Sequence, residues 1–340
     1  VGNTSASVVA DAVVKGTNDK DLGVLYDAMV YATEHVHPTV TSTGRWGHEY
    51  YNELGYIPYD VNIPENVART LEYAFDDRAL ARFAEQIGKS EEAAYFNEQS
   101  FNYKNVFDAD ICFVRGKTKE GKWRTPFAPL ASSHRKDDYC EGNAWQWSFF
   151  VPHDVEGLAA LMGGKERLAA RLDSLFTMSS ALEGDDVSGD ISGLIGQYAH
   201  GNEPGHHTIY MYNKVGQPYK TQKYVNQVLT TLYNNTPDGI CGNEDTGQMS
   251  AWYVFSALGF YPMDPVSGQY ELGAPLFEYA KIKLPSGADF IIKARNLSDS
   301  NIYVDKVFLN GEELKRTYIT FEEVLQGGEL VFEMKGEDML

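Results

Sequence analysis

The hydrophobic period of this chain changes once, near Pro265, and that change limits its fold more than any other feature. Before it, apolar residues recur at helical spacing. Leu22, Leu25, Tyr26, Met29 and Val30 form one stripe. Val67, Leu71, Ala74 and Phe75 form a stronger one between Pro64, which suits a first helical turn, and Gly88, which ends it. Further helices are expected over Ser7–Lys15, Glu91–Phe107, Gly142–Phe150, Lys165–Met178, His206–Asn213, Lys220–Tyr233 and Gln248–Leu258. Their connections are long, aromatic and glycine-rich, which costs ordering entropy and points to functional loops. After Pro265 come short β-branched or alternating runs: Gln269–Leu272, Ala280–Leu284, Asp289–Ala294, Asn301–Leu309 and Glu329–Met334. Turn residues separate them at Pro285-Ser-Gly287, Asn310-Gly311 and Gly327-Gly328. The expected fold is therefore mainly α. Residues 1–265 form a helical bundle or (α/α) toroid, and residues 266–340 a small antiparallel β unit. No repeat of fixed period supports a solenoid.

Charge removes one class of partner. A net charge of −19 would repel a phosphate backbone, so nucleic acid is excluded. No stretch is long and apolar enough to span a bilayer. Three cysteines, Cys112, Cys140 and Cys241, form no C-x-x-C pair, and so neither staple the fold nor resemble a zinc site. The chain begins at Val1 rather than Met, which leaves room for a removed signal peptide. Aromatic residues reach 13%, a content that suits a carbohydrate cleft as well as an aromatic core.

Three segments place glycine-flanked acids at helix starts. In the first, Glu141 precedes Trp145, Trp147, Phe149 and Phe150. A carboxyl group packed against apolar rings is held protonated, as a general acid must be. The plainer alternative is a helix-start carboxylate favoured by the dipole. The second runs His200-Gly-Asn-Glu-Pro-Gly-His-His207. Metal binding by His200, Glu203 and His206 lacks the helical H-E-x-x-H spacing, because Pro204-Gly205 interrupts it. Hydrogen bonding to a polyhydroxylated ligand and simple capping both remain open there. In the third, Asn243, Glu244 and Asp245 lie between Gly242 and Gly247, just before the apolar face of Met249, Trp252, Phe255 and Leu258. A carboxylate anchored on a buried helix suits a catalytic base, and an acidic helix N-terminus is the ordinary alternative. Two such carboxyls on opposite sides of a sugar ring would form a glycosidase pair.

Longer motifs carry a family resemblance. T-L-E-Y-A at 70–74, E-G-N-A-W-Q-W at 141–147, V-P-H-D at 151–154, G-N-E-P-G-H-H at 201–207, G-N-E-D-T-G-Q-M-S-A-W at 242–252 and G-F-Y-P at 259–262 resemble glycoside hydrolase family 92. The matches run in order from about Asp11 to Phe277. The resemblance implies a calcium-dependent, exo-acting, inverting α-mannosidase acting on mannose-containing glycans, with an N-terminal β-sandwich ahead of an (α/α)6 catalytic domain. That sandwich and the first helices of the toroid have no counterpart before Val1, so the toroid is expected to be incomplete. The resemblance makes Glu141 the general acid and Asp245 the general base, since Asn243 stands where the family often has an aspartate. It places Glu203 in the sugar site, with Asn202, His206, Asn243, Glu244 and Trp145 as further substrate-binding candidates. Asn202, where members strict for α-1,2 linkages tend to carry histidine, argues against that preference. The implied calcium takes oxygen ligands, which the sequence does not single out. The expected compartment is periplasmic, secreted or cell-surface. Two rival readings are another (α/α)-toroid enzyme such as a polysaccharide lyase, and a truncated toroid that only binds glycans or only folds. A cleft rich in acids fits a lyase poorly.

Overall fold

The structure, a computed structural model, describes residues 1–16, 21–40, 43–134 and 136–337. Its contacts divide the chain into two compact units, residues 1–191 with 195–198, and residues 192–194 with 199–340. The helical region followed by a small β unit, expected from the sequence, is what the chain forms. Among the described residues no helix is long and apolar enough to cross a membrane.

The first unit is built around the helix Asn66–Gln86, against which Ser5–Val14, Leu22–Thr33 and Ser90–Gln99 pack. Sixteen of its residues are buried, so apolar and polar positions alike face other elements. Two of the buried acids are held by hydrogen bonds. Asp77 accepts from Arg45 Nη1 and from Tyr51 Oη, each at 2.7 Å. Asp76 accepts from Asn3 N and Ser7 Oγ, each at 2.8 Å. Two helices lie where the sequence pattern was not read as helical, His48–Leu54 and Val155–Met162.

Burial pushes four carboxyls of this unit upward: Glu72 to about 7, Asp76 and Asp137 to about 6, and Asp77 above its ordinary value. A raised carboxyl pKa means that the folded chain keeps a proton the unfolded chain has released. The associated stability is present at acidic pH and is lost as the pH rises through 6 to 7. His153 opposes this, since burial lowers it to about 4 and so costs stability as the pH falls below the usual histidine value. The four acids outnumber it. Amide exchange in Asn66–Gln86 is therefore expected to slow, relative to the intrinsic rate, between pH 8 and about 5.5. Equal protection across that window would contradict the assignment.

The second unit carries the helices Pro218–Thr231 and Gln248–Leu258, a three-stranded sheet and a five-stranded sheet. The larger sheet runs in the order Glu312–Glu313, Tyr303–Leu309, Gly328–Lys335, Asp289–Arg295, Tyr279–Lys283. Alternate residues of its strands, including Phe290, Ile292, Leu330 and Phe332, enter one apolar core with Phe260, Tyr270 and Ile319. Asn310 and Gly311 both have positive φ (52° and 88°), which accounts for the Asn-Gly pair at this tight turn. One feature departs from the all-antiparallel expectation: Asp289–Arg295 pairs with Gly328–Lys335 in parallel. The chain between them is long enough to cross over because it contains three more strands, Tyr303–Leu309, Glu312–Glu313 and Tyr318–Thr320, and the helix Phe321–Leu325.

Candidate active site

The Glu141 segment belongs to the first unit. Asn143 caps the short helix Ala144–Trp147: its Oδ1 accepts from Trp145 N (3.0 Å) and Gln146 N (3.3 Å), while Gln146 Oε1 accepts from Asn143 N (2.8 Å). Gln197 braces both cap residues. It receives Asn143 Nδ2 on its side chain (3.1 Å) and Gln146 Nε2 on its carbonyl (3.1 Å). Its own amide donates to the Ser179 and Ala181 carbonyls (2.8 and 2.9 Å). Upstream, Trp147 Nε1 donates to the Cys140 carbonyl at 2.8 Å. Glu141 lies between these clamps, half-buried, with φ at 50°. Trp145 is buried, edge-on to Phe113, with the Arg171 guanidinium 4.0 Å from its ring centre.

The second and third segments lie in the second unit and are brought together. A Cβ on Gly242 would fall 2.2 Å from the Gly201 carbonyl oxygen and 2.5 Å from its Cα, so the two backbones touch. Ser192 crosses beside them: its carbonyl accepts from Gly201 N (3.0 Å) and its hydroxyl donates to the Cys241 carbonyl (2.9 Å). The contact sets the Asn202-Glu203 and Asn243-Glu244-Asp245 turns next to each other. Gly242→Ala is expected to lower stability by about 1–3 kcal/mol, because backbone must move to admit the methyl group. Thermal unfolding checks this, and an unchanged Tm would contradict the close approach.

Behind these turns lie two buried histidines. His206 is 1% exposed; its Nε2–H donates to the His200 carbonyl (2.9 Å) and its Nδ1 accepts from Gln248 Nε2 (3.2 Å). Burial lowers His206 to about 4 and pushes His200 well below the usual range, so both rings are neutral at pH 7. Trp252 Nε1 donates to the His206 carbonyl (3.1 Å), while Tyr233 Oη meets His200 Nε2 (2.7 Å) and donates to the Met249 carbonyl (3.1 Å). The helix Gln248–Leu258 is thereby tied to the turn that carries Asn202 and Glu203.

Glu244 and Asp245 are treated differently by the fold. Both Glu244 oxygens are engaged by Ser250, through its N (3.1 Å) and its Oγ (2.8 Å), which caps the helix. Asp245 is exposed, in a tight turn where Thr246 (φ 53°) and Gly247 (φ 81°) are both left-handed. Asn202, at 8% exposure, starts the 3-10 turn Glu203–Gly205, while Asn243 is exposed. Backbone strain is a signal that the sequence does not carry. Of seven non-glycine residues with positive φ among the described residues, three are asparagines, which adopt it readily, and the others are Glu65, Cys112, Glu141 and Thr246. Each costs on the order of 1–3 kcal/mol and persists only where the surroundings impose it. One is a candidate catalytic residue and another follows the second candidate directly. Sequence reading also passed over Gln197, Gln248 and Tyr233, whose roles arise entirely from long-range contacts.

Comparison with known proteins decides the family. A profile described as the glycosyl hydrolase family 92 catalytic domain matches residues 1–336. The chain belongs to glycosyl hydrolase family 92. Among its family 92 relatives of known structure, an α-mannosidase from Bacteroides thetaiotaomicron in complex with mannoimidazole is 37% identical, with a TM-score of 0.92 over 99% of this chain and 44% of that one. An inverting mannosidase from Bacteroides thetaiotaomicron VPI-5482 is 41% identical, with a TM-score of 0.89 over 98% of this chain and 46% of that one. An uncharacterized secreted glycosidase of Arthroderma benhamiae is 30% identical over 369 residues, covering 99% of this chain and 45% of the relative. The family 92 chain thus spans less than half the length of each of these relatives.

Proposed function

We propose that this chain carries the catalytic region of an exo-acting, inverting, calcium-dependent α-mannosidase that hydrolyses terminal α-mannosides of glycans. The observation that supports this most is the strained presentation of two acids: Glu141 in a left-handed conformation between two clamps, and Asp245 on a turn with two left-handed residues. In the proposed reaction Glu141, protonated, gives its proton to the departing glycosidic oxygen. Asp245 draws a proton from the water that attacks the opposite face of the sugar ring, so a single displacement inverts the anomeric carbon. Glu203 and Asn202, with Asn243 on the adjoining turn, would hold sugar hydroxyls. Asn202 in place of histidine goes with a linkage preference that is not strictly α-1,2. The proposed compartment is periplasmic, secreted or cell-surface.

The fit to calcium rests on the donor set. Among the described residues no three His, Cys, Asp or Glu side chains gather to hold a metal. The adjoining turns instead offer oxygen donors, from the Asn202 and Asn243 amides and the Glu203 carboxylate, which suit a hard cation completed by carbonyls and water. A bound calcium would supply positive charge that grips sugar hydroxyls. Release of mannose from α-mannosides, measured with added calcium and with chelator, tests the reading. Turnover that needs calcium supports it, and no release of mannose from a folded sample in either condition contradicts it.

A further inference from the structure

Asp138 lies three residues before Glu141 and is 3% exposed. Burying a carboxylate is costly unless donors surround it. Here they do. Asn66 Nδ2 donates at 3.0 Å, Gly116 N at 2.9 Å, and Arg124 donates from both Nε and Nη2 at 2.8 Å. The carboxylate fills the space a side chain at position 116 would need: a Cβ on Gly116 would fall 2.6 Å from each of its oxygens. The Asp138 carbonyl does a second job. It accepts from Val67 N and Ala68 N (3.0 and 3.1 Å), two N–H groups in the first turn of the helix Asn66–Gln86, which has no side-chain cap. Asp138 therefore joins three segments distant in sequence: the start of that helix, the segment that carries Gly116 and Arg124, and the loop that carries Glu141.

From Asp138 the hold passes along the chain. Asp137 Oδ1 accepts from Tyr139 N (2.9 Å), Tyr139 Oη donates to the Val114 carbonyl (2.7 Å), and the Cys140 carbonyl is held by Trp147. Glu141 follows in its left-handed conformation. The capping box accounts for restraint on its downstream side. On the upstream side, the helix start needs only a carbonyl, which any residue at 138 would supply. What aspartate adds is the carboxylate, with its buried contacts to Arg124, Asn66 and Gly116.

We propose that Asp138 is a positioning residue for Glu141 in the acid-assisted step, a role that rests on the glycosidase reading above. It acts through Glu141, setting where that carboxyl group is held. A misplacement of about 1 Å can cost about 10²-fold in rate.

The test uses the full chain and α-mannosides of graded leaving-group ability, with Asp138→Asn made alone and in a Glu141→Gln background. The asparagine keeps the shape and the carbonyl but loses the ion pair with Arg124. The expected result is a fall in kcat of about 10²-fold on poor leaving groups, a KM within about twofold, and a smaller loss on activated substrates. No further loss is expected in the double variant. Arg124→Gln, at a side chain 35% exposed and so tolerant of substitution, should give the same pattern and carries the test if Asp138→Asn fails to fold. Equal losses on every leaving group, or losses that add to those of Glu141→Gln, would overturn the positioning role while leaving the glycosidase reading intact. A fully active Glu141→Gln overturns both.

Discussion

Glu141→Gln is expected to lower kcat on mannosides with poor leaving groups by about 10²–10⁴-fold, the usual contribution of a general acid. The loss should shrink on activated aryl mannosides, whose leaving groups depart without a proton. Folding should be untouched. Glutamine keeps the size of the side chain, and the hydrogen bonds of Asn143, Gln146, Gln197 and Trp147 that hold the segment downstream are retained. Steady-state kinetics across a leaving-group series, together with a thermal unfolding curve, checks both halves. A glutamine variant equally impaired on every substrate would indicate a binding role in place of proton donation.

Asp245→Asn is expected to reduce kcat by a similar factor, about 10²–10⁴-fold, but uniformly across leaving groups, because the base acts on water. Glu244→Gln supplies the contrast. Both Glu244 oxygens are occupied by Ser250, so its loss should cost about 1 kcal/mol of helix capping and a much smaller fraction of kcat. If Glu244→Gln proves the more damaging to kcat, the roles of the two acids are reversed.

How far the fold was legible in advance depends on the range of the forces involved. The break in period near Pro265 located the β unit because strand alternation and turn chemistry are local. Asn310-Gly311 carried its own conformational requirement. The long stripe after Pro64 marked a helix for the same reason. Gly142–Phe150 was harder. Its aromatic spacing looks helical, yet only Ala144–Trp147 is, since Val151 precedes Pro152 and the rings of Trp147 and Phe150 pack on each other (5.2 Å). His206–Asn213 likewise breaks into a 3-10 turn, Thr208–Tyr210, and the short helix Met211–Lys214. Val155–Met162 was missed although its signals were present: Asp154 caps it through Gly157 N, and Gly163 ends it.

The candidate site was legible as residue types and illegible as geometry. Glu141, Glu203 and Asp245 stood out as acids among glycines. Nothing local showed that Gly201 and Gly242 touch, that Ser250 occupies Glu244, or that both rings of the His200–His206 pair are buried and neutral. Those depend on contacts between residues 6 to 49 positions apart, beyond the reach of any periodicity. Asp138 is the extreme case, with partners as far as 72 residues away. A second aspartate beside Asp137 looks like loop polarity until Asn66, Gly116 and Arg124 are seen to converge on it.

The anomer released first tests the central claim most directly. When the full chain hydrolyses an α-mannoside with calcium present, proton NMR at early times should show β-mannose, appearing before mutarotation supplies the α form. The single displacement by a water that Asp245 activates, with Glu141 as acid, predicts that order. α-Mannose as the first product would contradict it.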